Sequence, residues 1–142
     1  MGYDLYVIIL EDDTWRFVPY AANPHRRCSS FYMKGSDFRA LDLIKKDMNT
    51  DDSDIKSWEH VVHVADKDFI KVQDAMDLAF KMDMNRPQDT PNVFAMEEAV
   101  GDSGRVEKHG SWSQTFVILA LKRLERDGVV PKGTVEDFKK KI

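Results

Sequence analysis

A chain of 142 residues, 42% apolar and 32% charged, has the length and balance of one globular domain rather than of a disordered segment. A diffuse formal charge of −4 argues against nucleic acid or an anionic membrane as partner. The single cysteine, Cys28, excludes an internal disulfide and a cysteine-built zinc site, which fits a reducing, cytoplasmic setting.

Residues 3–10 are apolar on both strand parities: Tyr3, Leu5, Val7 and Ile9 on one face, Tyr6, Ile8 and Leu10 on the other. That pattern predicts a strand covered on both sides. It holds Asp4 and lacks a basic leader or cleavage site, so it does not read as a signal peptide, and no apolar run reaches the ~18 residues of a membrane span. Residues 15–20 read either as a short strand or as an ordered loop, stopped by Pro19 and Pro24. Residues 29–34 and 38–44 predict a hairpin around Gly35 and Ser36, followed by a polar turn over 49–54. The next strand is placed at 58–64, with Trp58, His60, Val62 and Val64 on one face and Glu59, Val61 and His63 on the other. Asp66 suits an N-cap. Phe69, Val72, Met76 and Ala79 then repeat at helical spacing, predicting an amphipathic helix over 68–82 that ends before the prolines of 86–92.

A short helical turn is expected over 94–100 and a polar loop over 101–110. The clearest element follows. Ser111 and Gln114 have capping-box spacing, and Phe116, Val117, Ala120, Leu121 and Leu124 form an apolar stripe. Arg123 and Arg126 suit the carboxyl end of the helix dipole, and Gly128 suits its C′ position. A short basic helix is expected over 134–141. The whole reads as one α+β domain over residues 1–142: an antiparallel sheet of four or five strands with two main helices.

The start of the 113–127 helix is the strongest site signal. A helix amino end offers backbone N–H groups and a positive dipole to an anion. Ser113 falls in its first turn as a nucleophile, with Gln114 as an amide donor and His109, His60 or His63 as the available bases. The alternative for Ser113 is a plain helix cap, with Ser113→Ala costing no more than about 1 kcal/mol. His60 and His63, on opposite faces of a regular strand, do not share a metal. His60 reads as a hydrogen-bonded core residue, His63 as an oriented base or a surface partner of Glu59. Arg26 and Arg27 before Cys28 allow a reactive thiolate; a small buried residue is the plainer reading. Met76, Met82, Met84 and Met96, near Phe80 and Phe94, read as an adaptable pocket or as core. The substrate pocket is drawn from Cys28, Trp58, Trp112 and Tyr32. No metal-ligand or cofactor motif is present, so no cofactor is expected.

In order of features the chain resembles a group of small, mostly fungal proteins with a circularly permuted papain-like (NlpC-type) fold. The likeness rests on the opening strand Tyr3-Asp4-Leu5-Tyr6-Val7-Ile8-Ile9-Leu10 and on Trp112-Ser113-Gln114-Thr115-Phe116-Val117, leading to Ala120-Leu121, Leu124-Glu125 and Gly128. In those proteins the helix opens with the nucleophilic cysteine, whose place falls on Ser113 here. Their histidine falls near Arg27 or Cys28, where this chain has none; His25 is the nearest. The resemblance therefore implies a scaffold that has lost thiol hydrolysis but kept the cleft. It would act on a small molecule as a cyclase, isomerase or similar biosynthetic helper. The alternatives are a non-catalytic binding module and a residual hydrolase or acyltransferase built on Ser113.

Overall fold

The structure, a computed structural model, describes residues 2–21, 26–34, 42–81 and 110–142. Within them the chain forms five strands and three helices. The strands are β1 (Gly2–Leu10), β2 (Trp15–Tyr20), β3 (Arg27–Lys34), β4 (Asp42–Asn49) and β5 (Ile55–Ala65). A 3₁₀ turn, Asp66–Asp68, leads into α1 (Phe69–Lys81); α2 (Trp112–Arg126) and α3 (Thr134–Lys139) follow. The sheet order is β4-β3-β2-β1-β5, with every neighbouring pair antiparallel. The architecture is α+β, as the patterning predicts.

β1 occupies an interior position, which explains its apolar residues on both parities. Leu5 and Val7 are fully buried in the cluster under the helices, while Ile8 and Leu10 belong to a second cluster on the opposite face. α2 supplies the helix side. Phe116, Val117, Ile118, Leu119, Ala120 and Leu121 are all fully buried. Phe116 meets Phe17 of β2 edge to face, with ring centroids 5.9 Å apart. α3 closes one end, Phe138 resting on the Trp15 ring at 5.9 Å. From α1 the stripe Val72, Ala75, Met76 and Ala79 enters the same core, whereas Phe69, expected in that stripe, stays 38% exposed against the Tyr3 ring.

Several boundaries differ from the sequence expectation. β4 starts at Asp42 and continues through Asn49, so the second hairpin strand is displaced toward the carboxyl end and absorbs the start of the expected turn. The charged run Lys45-Lys46-Asp47 suits an edge strand, where charge blocks further pairing, and so it did not look like a strand. Asp66 does not cap α1; it opens the 3₁₀ turn, whose N-cap position is Ala65, with no side-chain cap bond. α1 itself starts at Phe69, and α3 ends at Lys139.

A further difference lies in the register of β5. Its register against β1 slips between Leu5 and Tyr6: Leu5 faces Val62, but Tyr6 faces His60, leaving Val61 as an extra residue. An inserted residue reverses the alternation of everything beyond it. Trp58 therefore packs on the second cluster while Val64 packs under the helices, so the shared Trp58–Val64 face of a regular strand does not form. The expected helical turn at 94–100 and the loop at 101–109 lie outside the described residues.

Candidate functional site

The amino end of α2 is built as its sequence implies. The Ser111 hydroxyl accepts the Gln114 N–H (3.2 Å), and the Gln114 side-chain oxygen accepts the Ser111 N–H (2.8 Å), completing a capping box. Gly110 precedes it with φ +65°, and a Cβ there would collide with the Gln114 side-chain oxygen, so the box requires glycine at that position.

A cleft opens at this end, where β2 and β3 neighbour each other in the sheet through the pair Phe17–Phe31. Beyond it the Trp15 N–H donates to the Ser113 hydroxyl oxygen at 3.3 Å. Ser113 is 7% exposed and shares a second contact with the Ser111 hydroxyl at 3.1 Å. The cleft holds about 460 Å³ and is lined by Asp12, Asp13, Thr14, Arg16, Tyr32, Met33 and the first turn of α2, Ser111 through Gln114. That volume falls within the ~300–1,000 Å³ of small-molecule sites. Of the residues singled out from sequence, Ser113, Gln114, Trp112 and Tyr32 are brought together here.

Arg16 is a cleft residue that sequence reading passed over; Asp12 and Asp13 beside it lack metal-loop spacing and read from sequence as a solvated acidic pair. The Arg16 guanidinium lies over the Tyr32 ring, 4.1 Å from its centroid. Its Nη1 reaches the Ser30 hydroxyl at the long distance of 3.5 Å, and its Nε is buried with no hydrogen-bond partner among the described residues. The Asp12 carboxylate accepts the Thr14 N–H at 3.0 Å. Hydrogen bonds from the Thr14 side chain and then its backbone hold the Asp12 carboxyl below the ordinary carboxylate value. Asp13 takes the left-handed backbone at φ 65° and faces Lys56 at 3.5 Å. Local spacing carried a faint trace of this set, an acidic turn followed by an arginine between two aromatic residues. That Arg16 would share a cleft with α2 depends on contacts about a hundred residues apart in the chain.

The histidines lie elsewhere. His60 and His63 both reach one carboxylate oxygen of Asp4, at 3.1 Å through Nε2 and 3.3 Å through Nδ1. The Val61 bulge brings them to the same side, against the expectation for a regular strand. All three side chains are exposed, His60 at 50%, so it is not a core histidine, and the partner of His63 is Asp4 rather than Glu59. Glu59 instead pairs with Lys141 of the carboxyl-terminal segment at 3.0 Å. Hydrogen bonding from His60, ahead of the contribution of His63, holds Asp4 below the ordinary carboxylate value. Neither histidine lines the cleft beside Ser113. No group of three or more ligating side chains able to hold a metal occurs among the described residues. His25 and His109 lie outside the described residues, as do Met82, Met84, Met96 and Phe94; Met76 is core.

Cys28 and Trp58 do not line the Ser113 cleft. Cys28 is 8% exposed in the second apolar cluster, and burial, ahead of Asp52 and Asp47, pushes its thiol pKa up. The neighbouring arginines do not make it a thiolate. Trp58 stands with Tyr6, Tyr20 and Thr50 around a smaller, separate cavity. Compared with known proteins, the chain matches no family model, no curated protein and no solved structure.

Proposed function

We propose that this chain binds and acts on a small molecule bearing an acidic group, held in the cleft at the amino end of α2. The observation that carries this reading is the Arg16 guanidinium, fixed over Tyr32 at the wall of a cavity of about 460 Å³, its buried Nε without a hydrogen-bond partner among the described residues. A carboxylate or phosphate in the cleft would pair with this guanidinium. Asp12 and Asp13 at the rim suit a hydroxyl or ammonium group on the same ligand, as hydrogen-bond acceptors.

Chemistry by cavity shape and proton transfer, of the isomerase or cyclase type, fits this site better than covalent hydrolysis. On a permuted papain-like scaffold Ser113 takes the nucleophile's place. Here its oxygen is occupied by the Trp15 N–H and the Ser111 hydroxyl, a structural role. The His60–His63–Asp4 cluster is not at its side.

Thermal unfolding in the presence of a panel of small mono- and dicarboxylic acids and phosphate esters tests the proposal. A true ligand raises Tm by mass action. Arg16→Met should weaken it about tenfold to a hundredfold, the worth of a charge-assisted hydrogen bond of about 1.5–3 kcal/mol. A panel without any stabilising acid, or an acid that binds Arg16→Met equally well, would overturn it.

A further inference from the structure

The second face of the sheet carries a site unconnected with the α2 cleft. Tyr6 of β1, Tyr20 of β2 and Trp58 of β5 are half-buried and stand on the cluster of Ile8, Leu10, Val18, Cys28 and Met48. The described helices pack their buried residues on the opposite face. The three rings form walls rather than a stack. Tyr6 meets Trp58 at 85° with centroids 5.4 Å apart, and Tyr20 meets Trp58 at 61° and 6.3 Å. Between them, with Thr50 as the remaining side, is an open cavity of about 240 Å³ lined by no charged group among the described residues.

We infer that Tyr6, Tyr20 and Trp58 form an aromatic cage for a trimethylammonium head group. Rings set at steep angles offer a cation several π faces at once, each attractive within about 6 Å of its centroid. The cavity is below the ~300 Å³ of sites that enclose a whole drug-sized molecule, so it suits a head group whose tail leaves through the open mouth. A primary ammonium needs hydrogen-bond acceptors to replace its water; among the described residues Thr50 is the one side chain lining the cavity besides the three rings, and His60 stands edge-on to Tyr6 outside that lining. A quaternary ammonium has no N–H to satisfy. Asp4 shares the face with Tyr6 two residues on and lies opposite Tyr20 in register, its carboxylate engaged by His60 and His63. The β5 bulge is what makes the cage: without the extra residue at Val61, Trp58 would not stand on the face of Tyr6.

The test is an NMR titration of the whole chain, following the Trp58 indole resonance, assigned through Trp58→Phe. The probes are tetramethylammonium, choline, Nε-trimethyllysine amide, unmethylated lysine amide, and 3,3-dimethylbutanol as the neutral isostere of choline. Saturable shifts are expected for the three quaternary probes. The neutral isostere and unmethylated lysine should bind about tenfold more weakly or not at all. A preference for choline or for trimethyllysine amide then distinguishes a small-molecule source from a modified side chain. Tyr20→Leu, with an unchanged circular dichroism spectrum, should lower affinity about tenfold. Equal binding of the neutral isostere to the intact chain, or no indole shift with any quaternary probe, would overturn the inference without reference to any variant.

Discussion

Ser113 is held at 7% exposure by the Trp15 amide, and this changes what its removal should do. As a bare cap residue it would cost no more than about 1 kcal/mol. Because Ser113→Ala leaves a buried N–H without its acceptor, about 1–3 kcal/mol is expected, read from denaturant midpoints at constant m. A loss under 0.5 kcal/mol would place another acceptor at Trp15. Cys28 gives a second residue-scale expectation. Its raised pKa and burial keep it a thiol, so iodoacetamide should leave it unlabelled in the folded chain at pH 7.5 and label it in urea. Rapid native labelling would mean that the second apolar cluster opens readily.

At the scale of elements, α2 carries the core. Phe116 is fully buried against Phe17, so Phe116→Ala should cost roughly 3–5 kcal/mol in chemical denaturation. Gly110→Ala should cost about 1–3 kcal/mol by straining a positive φ and displacing Gln114 from the capping box. A neutral result at Gly110 would mean the box contributes little. The sheet's outer strands behave differently from its interior: β4 carries Lys45, Lys46 and Asp47, while β1 is apolar on both parities. That contrast explains why β1 was legible as a strand and β4 was misplaced by several residues. An interior strand advertises itself by hydrophobicity, and an edge strand does so only through pairing.

For the molecule as a whole, pH sensitivity follows from its depressed carboxylates. Asp4 and Asp12 have folded pKa values below those of the unfolded chain. Their stabilising contribution is present above about pH 4 and is lost as pH falls through the folded values. Acid titration of stability should therefore flatten in Asp4→Asn, modestly, because the Asp4 side chain is 43% exposed and solvent screens it. An unchanged acid limb would remove the Asp4–histidine cluster from the stability of the fold.

Hydrophobic periodicity by itself determined the α+β class, β1, the capped α2 and its buried stripe, because those signals are local and repeat along the chain. The helix-end cleft was legible in part, through Ser111, Ser113 and Gln114. Tertiary structure decided the rest. The pairing of β2 with β3 brings Arg16 over Tyr32 at that cleft, and the Val61 bulge brings His60 and His63 to one carboxylate and Trp58 to Tyr6. A bulge and a strand pairing are set by which strands meet and in what register. That is a property of long-range pairing, which no window of neighbouring residues contains.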